Sequence, residues 1–361
     1  MSGTGQSDHA TGRSMLVTGG TGFLGLHVCD YFASRGWDVT ALDLKPFEDG
    51  DDVGDVEYVE GDIRDEGLMR EVTEGIDVVV HAAAALALWD DERIRSVTVD
   101  GTRTVLDAAI DADVDRVVFI SSITVYGDEA DSPITEYAPL SAIGAYGRSK
   151  IDAEQLCEVA RNDLCIPILR PPSFIGPRRL GIFEILFDWI EDGASIPLIG
   201  WGHNRYQLLH VEDLITAIEL LIEAEEDVAN ETYNVGADEF ETMKRDFQSP
   251  IEYAGTGKRT VGTPVRPAVW TLRVLERLDL SPLYPWVYET AHRDHYLSVE
   301  KLKAVGWEPQ YSNREALVET YQWYLEHYDE GSETDEAGEL GHRVGWDQGA
   351  VGLVKPLFKL L

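Results

Sequence analysis

The chain has 361 residues, enough for one large domain or two intimately joined ones with a sizeable core. Its 66 acidic side chains against 30 Lys and Arg give a formal net charge of −36, a mean surface that repels nucleic acid and anionic lipid and suits a salt-rich cytoplasm. Cys29, Cys157 and Cys165 form no Cys-x-x-Cys pair and stand near no histidine at metal-ligand spacing, so buried reduced thiols and no metal site are expected.

Residues 1–14 are small and polar, a flexible segment without the apolar core of a secretory signal. From Met15 to about Arg170, β-rich apolar runs at 15–18, 39–43, 56–60, 78–81, 117–121 and 166–170 alternate with helical patterns that include 23–36, 93–111 and 146–162. That rhythm predicts an α/β fold: a doubly wound parallel Rossmann sheet over 15–172, completed later by about 206–236, with a smaller C-terminal substrate-binding region over 173–328. The most apolar stretch, 78–89, is too short to span a bilayer.

Three signals fall in order along this unit. First, Thr18-Gly-Gly-Thr-Gly-Phe-Leu-Gly25 joins a strand to a helix, so that Gly19, Gly22 and Gly25 let the backbone, including that of Phe23 and Leu24, approach a pyrophosphate at a helix N-terminus. The next strand ends at Asp43, whose carboxylate can take both ribose hydroxyls and would repel a 2′-phosphate, which favours NAD over NADP. A turn cap is the alternative role for Asp43, and Lys45 is a cation that could tolerate the phosphate. Asp62 and Ile63 end the third strand, placed to meet the adenine edge and ring. His81, Ala82 and Ala83 end the fourth, where the alanines leave room for cofactor and His81 reads as a satisfied strand-end histidine.

The second and third signals are Ser121-Ser-Ile-Thr-Val-Tyr-Gly127 and Tyr146-Gly-Arg-Ser-Lys150. Positions i and i+4 share a helix face, so Lys150 would lie beneath Tyr146 and its charge would favour the phenolate. After Pro171-Pro172 glycine and proline interrupt the pattern, and an apolar helix at 183–189, a helix at 211–223 and a strand at 232–235 follow. Residues 329–341 read as an acidic linker. The apolar 351–361 reads as a segment docked on the protein's own surface, with interfacial membrane contact the lesser alternative.

Taken in order, these runs, with Leu169-Arg-Pro171, Leu209-His-Val-Glu-Asp-Leu214, Tyr233-Asn-Val-Gly236 and Gly306-Trp-Glu-Pro309, resemble the extended short-chain dehydrogenase/reductase superfamily. Within it they resemble the NAD-dependent epimerase/dehydratase family, over about residues 14–328. The resemblance implies that Tyr146 is the acid/base on the reacting oxygen and that Ser122 bonds the same oxygen. It implies that Lys150 holds the nicotinamide ribose and depresses the Tyr146 pKa, with Pro172 and Ser173 flanking the nicotinamide. Thr124, Arg178 and Arg205 are the implied substrate contacts, Arg205 looking like the diphosphate-binding arginine although its spacing to His210 is one residue longer than the family pattern. Thr98 stands where the sugar enzymes carry Asn, and Ile123 and Thr124 where their dehydratase branch carries Asp-Glu.

The reading expected is an NAD-dependent epimerase of a nucleotide sugar. The alternative is a dehydrogenase or reductase of a hydrophobic alcohol resembling the 3β-hydroxysteroid branch, suggested by the apolar 183–189 helix and the C-terminal Leu/Phe segment. A cytoplasmic homodimer is expected, since Val97, Val105 and Ile110 on one helix and Ile151, Leu156 and Val159 on another exceed the stripe needed to cover the sheet. No nucleic-acid partner is expected, and membrane contact is disfavoured.

Overall fold

Runs such as Ser-Met-Leu-Val-Thr and Val-Val-Val-His are apolar on both faces, which suits strands covered by helices on either side. They form β1 (Ser14–Thr18), β2 (Asp38–Asp43), β3 (Val56–Glu60), β4 (Val78–His81), β5 (Arg116–Ile120) and β6 (Ile168–Arg170). β7 (Phe174–Ile175), β8 (Ile196–Ile199), β9 (Leu209–His210), β10 (Thr232–Asn234) and β11 (Thr260–Thr263) follow. This computed structural model describes residues 12–48, 50–128, 130–178, 180–278, 280–281, 283, 285–327, 352 and 354–360. The central sheet has seven strands in the order β10-β6-β5-β4-β1-β2-β3, with every pairing parallel. Strand order reverses between β1 and β4, and the carboxyl ends of those strands, Thr18 and His81, border the crevice where such sheets bind ligands.

On one face lie α1 (Phe23–Ala33) and, later in the chain, α7 (Val211–Glu223), packed with Val28, Phe32, Leu214 and Ile218 fully buried against Met15, Val17 and Val80. The other face is covered by α2 (Glu66–Thr73), α4 (Gly101–Asp111) and α5 (Gly144–Ala160), through Met69, Val105, Ala109 and Ala153. The helix expected over 93–111 is not uniform. A short α3 (Asp91–Arg95) runs into a π turn at Ser96–Asp100 before α4 begins, a widening of the kind that accompanies functional sites.

The small lobe has its own core around α6 (Phe183–Glu191), where Phe187, Trp189 and Ile190 are buried with Tyr321 and Tyr324. Phe358 of the C-terminal helix Lys355–Lys359 packs on Trp189, and Lys355 is paired with Asp188 at 2.5 Å. The apolar residues of 183–189 are therefore core rather than a cleft lining, which removes the main support for a hydrophobic-alcohol pocket there. The acidic linker expected at 329–341 lies outside the described residues.

The apolar excess expected on the two helices is mostly consumed by the fold. Val105 is fully buried and Val97, Ile110, Leu156 and Ile151 pack against cores, leaving Val159, 73% exposed, as the residue that projects.

Candidate active site

The glycine loop is fixed by close approach. Gly19 has φ +70°, and a Cβ there would lie 2.8 Å from the Ala83 backbone; a Cβ on Gly25 would lie 2.0 Å from the Gly19 carbonyl oxygen. Gly20, which sequence reasoning passed over, is pressed on β2, its Cβ position 2.6 Å from that of Ala41. Gly22 precedes α1 without a side-chain cap, so the first-turn amides remain available to an anion. The side chains of Phe23 and Leu24 are buried, Phe23 stacked on Phe174, so both reach the crevice only through backbone.

At the end of β2, Asp43 accepts from the Thr21 amide at 3.1 Å and from the Leu44 amide at 2.7 Å, standing at the tip of the same loop. Asp62 is gripped by Arg64 at 2.5 Å, and that hydrogen bond holds its carboxyl below the usual range. Arg64 was missed in the sequence because a salt pair two residues apart leaves no periodic signal. Ile63 is buried, its tip within 2.4 Å of a Cβ placed on Gly101, so it packs inward beneath the turn.

His81 lies between Thr18, 2.7 Å from Nδ1, and Thr102, 3.0 Å from Nε2. Burial lowers its pKa to about 3, with the Lys150 charge adding to the effect, so it is neutral and structural. Ala82 follows on, its amide bonded to the Thr18 carbonyl.

Ser122, two residues past β5, is extended and opens the turn Ile123–Val125, its Oγ accepting from the Thr124 amide at 3.2 Å. Tyr146, in the first turn of α5, is hydrogen-bonded to Ser122. α5 can approach this turn because position 147 is glycine: a Cβ there would meet the Thr124 carbonyl oxygen at 2.5 Å. Lys150 follows one turn later, buried, donating to the Ile120 carbonyl at 2.6 Å. The structure thus brings Ser122, Tyr146 and Lys150 to the end of β5.

One expectation is corrected. Burial pushes Tyr146 up to about 12 and only the Ser122 hydrogen bond opposes it. The ammonium of Lys150 sits 6.0 Å from the Tyr146 ring centre and is directed at Ile120, so its charge does not set the phenol pKa here. Lys150 itself is lowered by burial to about 8, with the Glu154 carboxylate raising it in opposition.

Glu154, a residue the sequence reading did not single out, pairs with Arg170 at the end of β6 and accepts from Ser121. Arg170 also donates to the Tyr126 hydroxyl at 2.6 Å, and Tyr126 donates to Asn234 at 2.9 Å. After β6, the Pro171 carbonyl accepts from the Ile123 amide of this turn; Pro172 and Ser173 follow, and Ser173 hydrogen-bonds Tyr206. Thr124 is buried, and its hydroxyl has no hydrogen-bond partner among the described residues, which leaves it for a ligand.

Arg205 is held between the rings of Phe240 and Tyr296, 4.5 and 4.7 Å from their centres. Its backbone is anchored by Asp294, which accepts from the Arg205 amide at 2.7 Å. Arg178 is not brought to this group: its guanidinium pairs with Asp30 of α1 at 2.8 Å.

The family model described as "NAD dependent epimerase/dehydratase family" matches residues 15–236. The chain belongs to the NAD-dependent epimerase/dehydratase family. A Sinorhizobium fredii protein, y4nG, is 35% identical over 316 residues, covering 86% of this chain and 78% of that one. The low-salt glycan biosynthesis protein Agl12 of Haloferax volcanii is 30% identical over 330 residues, covering 86% and 98% respectively. Among solved structures, a UDP-glucose 4-epimerase from Thermotoga maritima bound to UDP-glucose matches with a TM-score of 0.74 at 24% identity, over 88% of this chain and all of that one. As a family member this epimerase/dehydratase uses NAD, and the glycine cradle, the uncapped α1 N-terminus and Asp43 fit it without obstruction.

Proposed function

We propose that this family member is a nucleotide-sugar epimerase, and the observation that carries the reading is what surrounds Ser122. The two residues after it, Ile123 and Thr124, are buried and carry no carboxylate, so the turn lacks an acid for expelling water from a sugar, while Ser122, Tyr146 and Lys150 are together. Bound NAD supplies a hydride acceptor that can give the hydride back. Once its own proton has left, the Tyr146 phenolate takes the proton from the sugar hydroxyl as the hydride departs, and returns it to the keto oxygen after the sugar has turned over, a role worth on the order of 10²–10⁴ in rate. Ser122 donates to the same oxygen and fixes its position. Lys150, whose ammonium here donates to the Ile120 carbonyl, is the group assigned to the nicotinamide ribose, and Thr124 offers its hydroxyl to the sugar. Arg205, flattened between two rings, offers its edge to a diphosphate.

The UDP-glucose bound to the Thermotoga enzyme and the glycan-pathway name of the Haloferax relative support a sugar substrate. The −36 charge supports a salt-rich cytoplasm, and exposed Val159 on α5 supports an isologous dimer through that helix. The test is to incubate the protein with UDP- and dTDP-hexoses in deuterated water and follow the sugar by NMR. An epimer without deuterium at the reacting carbon and without accumulating NADH is expected. A 4-keto-6-deoxy product, or stoichiometric NADH, would overturn the reading.

A further inference from the structure

In a chain where acids outnumber cations by more than two to one, no Asp or Glu occurs between Glu252 and Glu276, and that interval carries Lys258, Arg259, Arg266 and Arg273. Its second half is the amphipathic helix Val265–Glu276, which buries Val269 and Leu272 against Tyr288. The flank of that buried stripe carries Arg266, Trp270, Arg273 and, just past the helix, Arg277, at spacings of four, three and four that stack on one side. All four are exposed, Trp270 at 67%, and Leu278 and Leu280 project beyond them. Arg273 is paired with Glu289. Arg259, Arg266 and Arg277 have no acidic partner among the described residues, whereas most other exposed arginines of this protein do.

Further apolar side chains are exposed near β11. Trp201, 65% exposed, lies against Gly262 in the middle of that strand. At the strand's start, Lys258 donates to the Lys359 carbonyl at 2.6 Å and so joins the C-terminal helix, which buries Phe358 but leaves Leu357 and Leu360 at 59 and 84% exposure. The helix, Trp201 and the C-terminal segment thus each expose tryptophan or leucine near β11, with Arg259 just before that strand and Arg266 just after it.

We propose that this face of the small lobe docks the protein on the surface of a membrane rich in anionic lipid, with Trp270 and the leucines entering the headgroup boundary and Arg266 and Arg277 meeting phosphates. Aromatic and aliphatic side chains interleaved with arginine are the composition that seats an interfacial helix. The −36 total charge does not forbid it, because a contact face feels its own cations directly while acids farther away than about 10 Å are screened at 0.1 M salt. No described helix is long and apolar enough to cross a membrane, so the contact is with the surface.

The test is flotation of the full-length protein with phosphatidylcholine vesicles with and without phosphatidylglycerol, at the lowest KCl concentration that keeps its far-UV spectrum native. Wild type floats with the phosphatidylglycerol vesicles, and Trp270→Ala and the double variant Arg266→Glu/Arg277→Glu lose at least about tenfold in bound fraction with turnover unchanged. Failure of wild type to float, equal binding to neutral vesicles, or undiminished binding by both variants overturns the proposal. A change of molar mass by light scattering in Trp270→Ala would instead assign the face to contact between copies and would equally overturn it.

Discussion

The carboxylate of Glu154 and the guanidinium of Arg170 form a buried pair at 2.5 Å that ties α5 to the end of β6. Nε and Nη2 of Arg170 both reach the carboxylate, and Ser121, the neighbour of Ser122, donates to it as well. One side chain thereby sets the height of α5 over the sheet and the position of the β5 end.

Glu154→Gln removes a charge that raises the Lys150 pKa while keeping the side chain's shape. Lys150, already lowered to about 8, then loses its proton at a lower pH, so the alkaline limb of kcat/KM moves down by roughly one pH unit. The charged groups around Lys150 are Glu154 and Cys157 on its own helix and His81 across on β4; Cys157 is pushed up and uncharged and His81 is neutral, so Glu154 governs the shift. Leaving Arg170 unpaired also lowers stability by about 3–5 kcal/mol. Glu154→Asp, which keeps the charge, should retain the wild-type limb; a pH profile identical in all three proteins would show that Glu154 only holds the fold.

Tyr146→Phe removes the phenol oxygen and nothing that touches the glycine loop. Turnover should fall by about 10²–10⁴ while NAD affinity, measured by calorimetry, stays near wild type. Retention of more than about a tenth of the activity would remove Tyr146 from the acid/base role.

The parallel sheet was legible in the sequence because both-sided burial writes continuous apolar runs, as at Val78, Val79 and Val80. The glycine loop and the Ser122, Tyr146 and Lys150 set were legible because their spacing is local. What escaped was long-range. Glu154 and Arg170 meet only after β6 has folded beside α5, and nothing in either neighbourhood announces the pair. Arg178 looked like a substrate residue beside a glycine-proline turn, yet its positive φ of 77° and its pairing with Asp30 are set by where that turn crosses α1. The pKa of Tyr146 was misjudged for a related reason, since helical spacing fixes the shared face of residues 146 and 150 but not where the ammonium points.

Asp43 and Leu44 test cofactor choice. Asp43 stands at the end of β2 against the glycine loop, and Leu44 beside it is exposed. Asp43→Ala with Leu44→Arg exchanges a carboxylate that repels a 2′-phosphate for a guanidinium that binds it. The ratio of kcat/KM for NADP to that for NAD should rise by at least about tenfold, since one kept or lost charged hydrogen bond is worth about 1.5–3 kcal/mol. An unchanged ratio would leave Asp43 as a cap of its turn.

His81 predicts how the protein fails in acid. Thr102 donates its hydroxyl to the Thr98 carbonyl at 2.6 Å, so His81 Nε2 must be the donor to Thr102, and Nδ1 accepts from Thr18. That neutral ring has a folded pKa of about 3 against 6.5 when unfolded. Below 6.5 the unfolded chain therefore takes up a proton that the folded protein refuses, and stability falls as pH drops, by up to about 1.4 kcal/mol per unit for this one group. His27, His210 and His295 are lowered to about 4 by the same burial and steepen the fall. His81→Gln deletes one of these titrations, so urea unfolding followed between roughly pH 6.5 and 5, above the range where most carboxylates protonate, should show a slope shallower by close to one proton. A slope equal to that of wild type would mean that His81 is charged in the folded protein, donating from both ring nitrogens, with the Thr18 hydroxyl accepting from Nδ1 instead of donating to it.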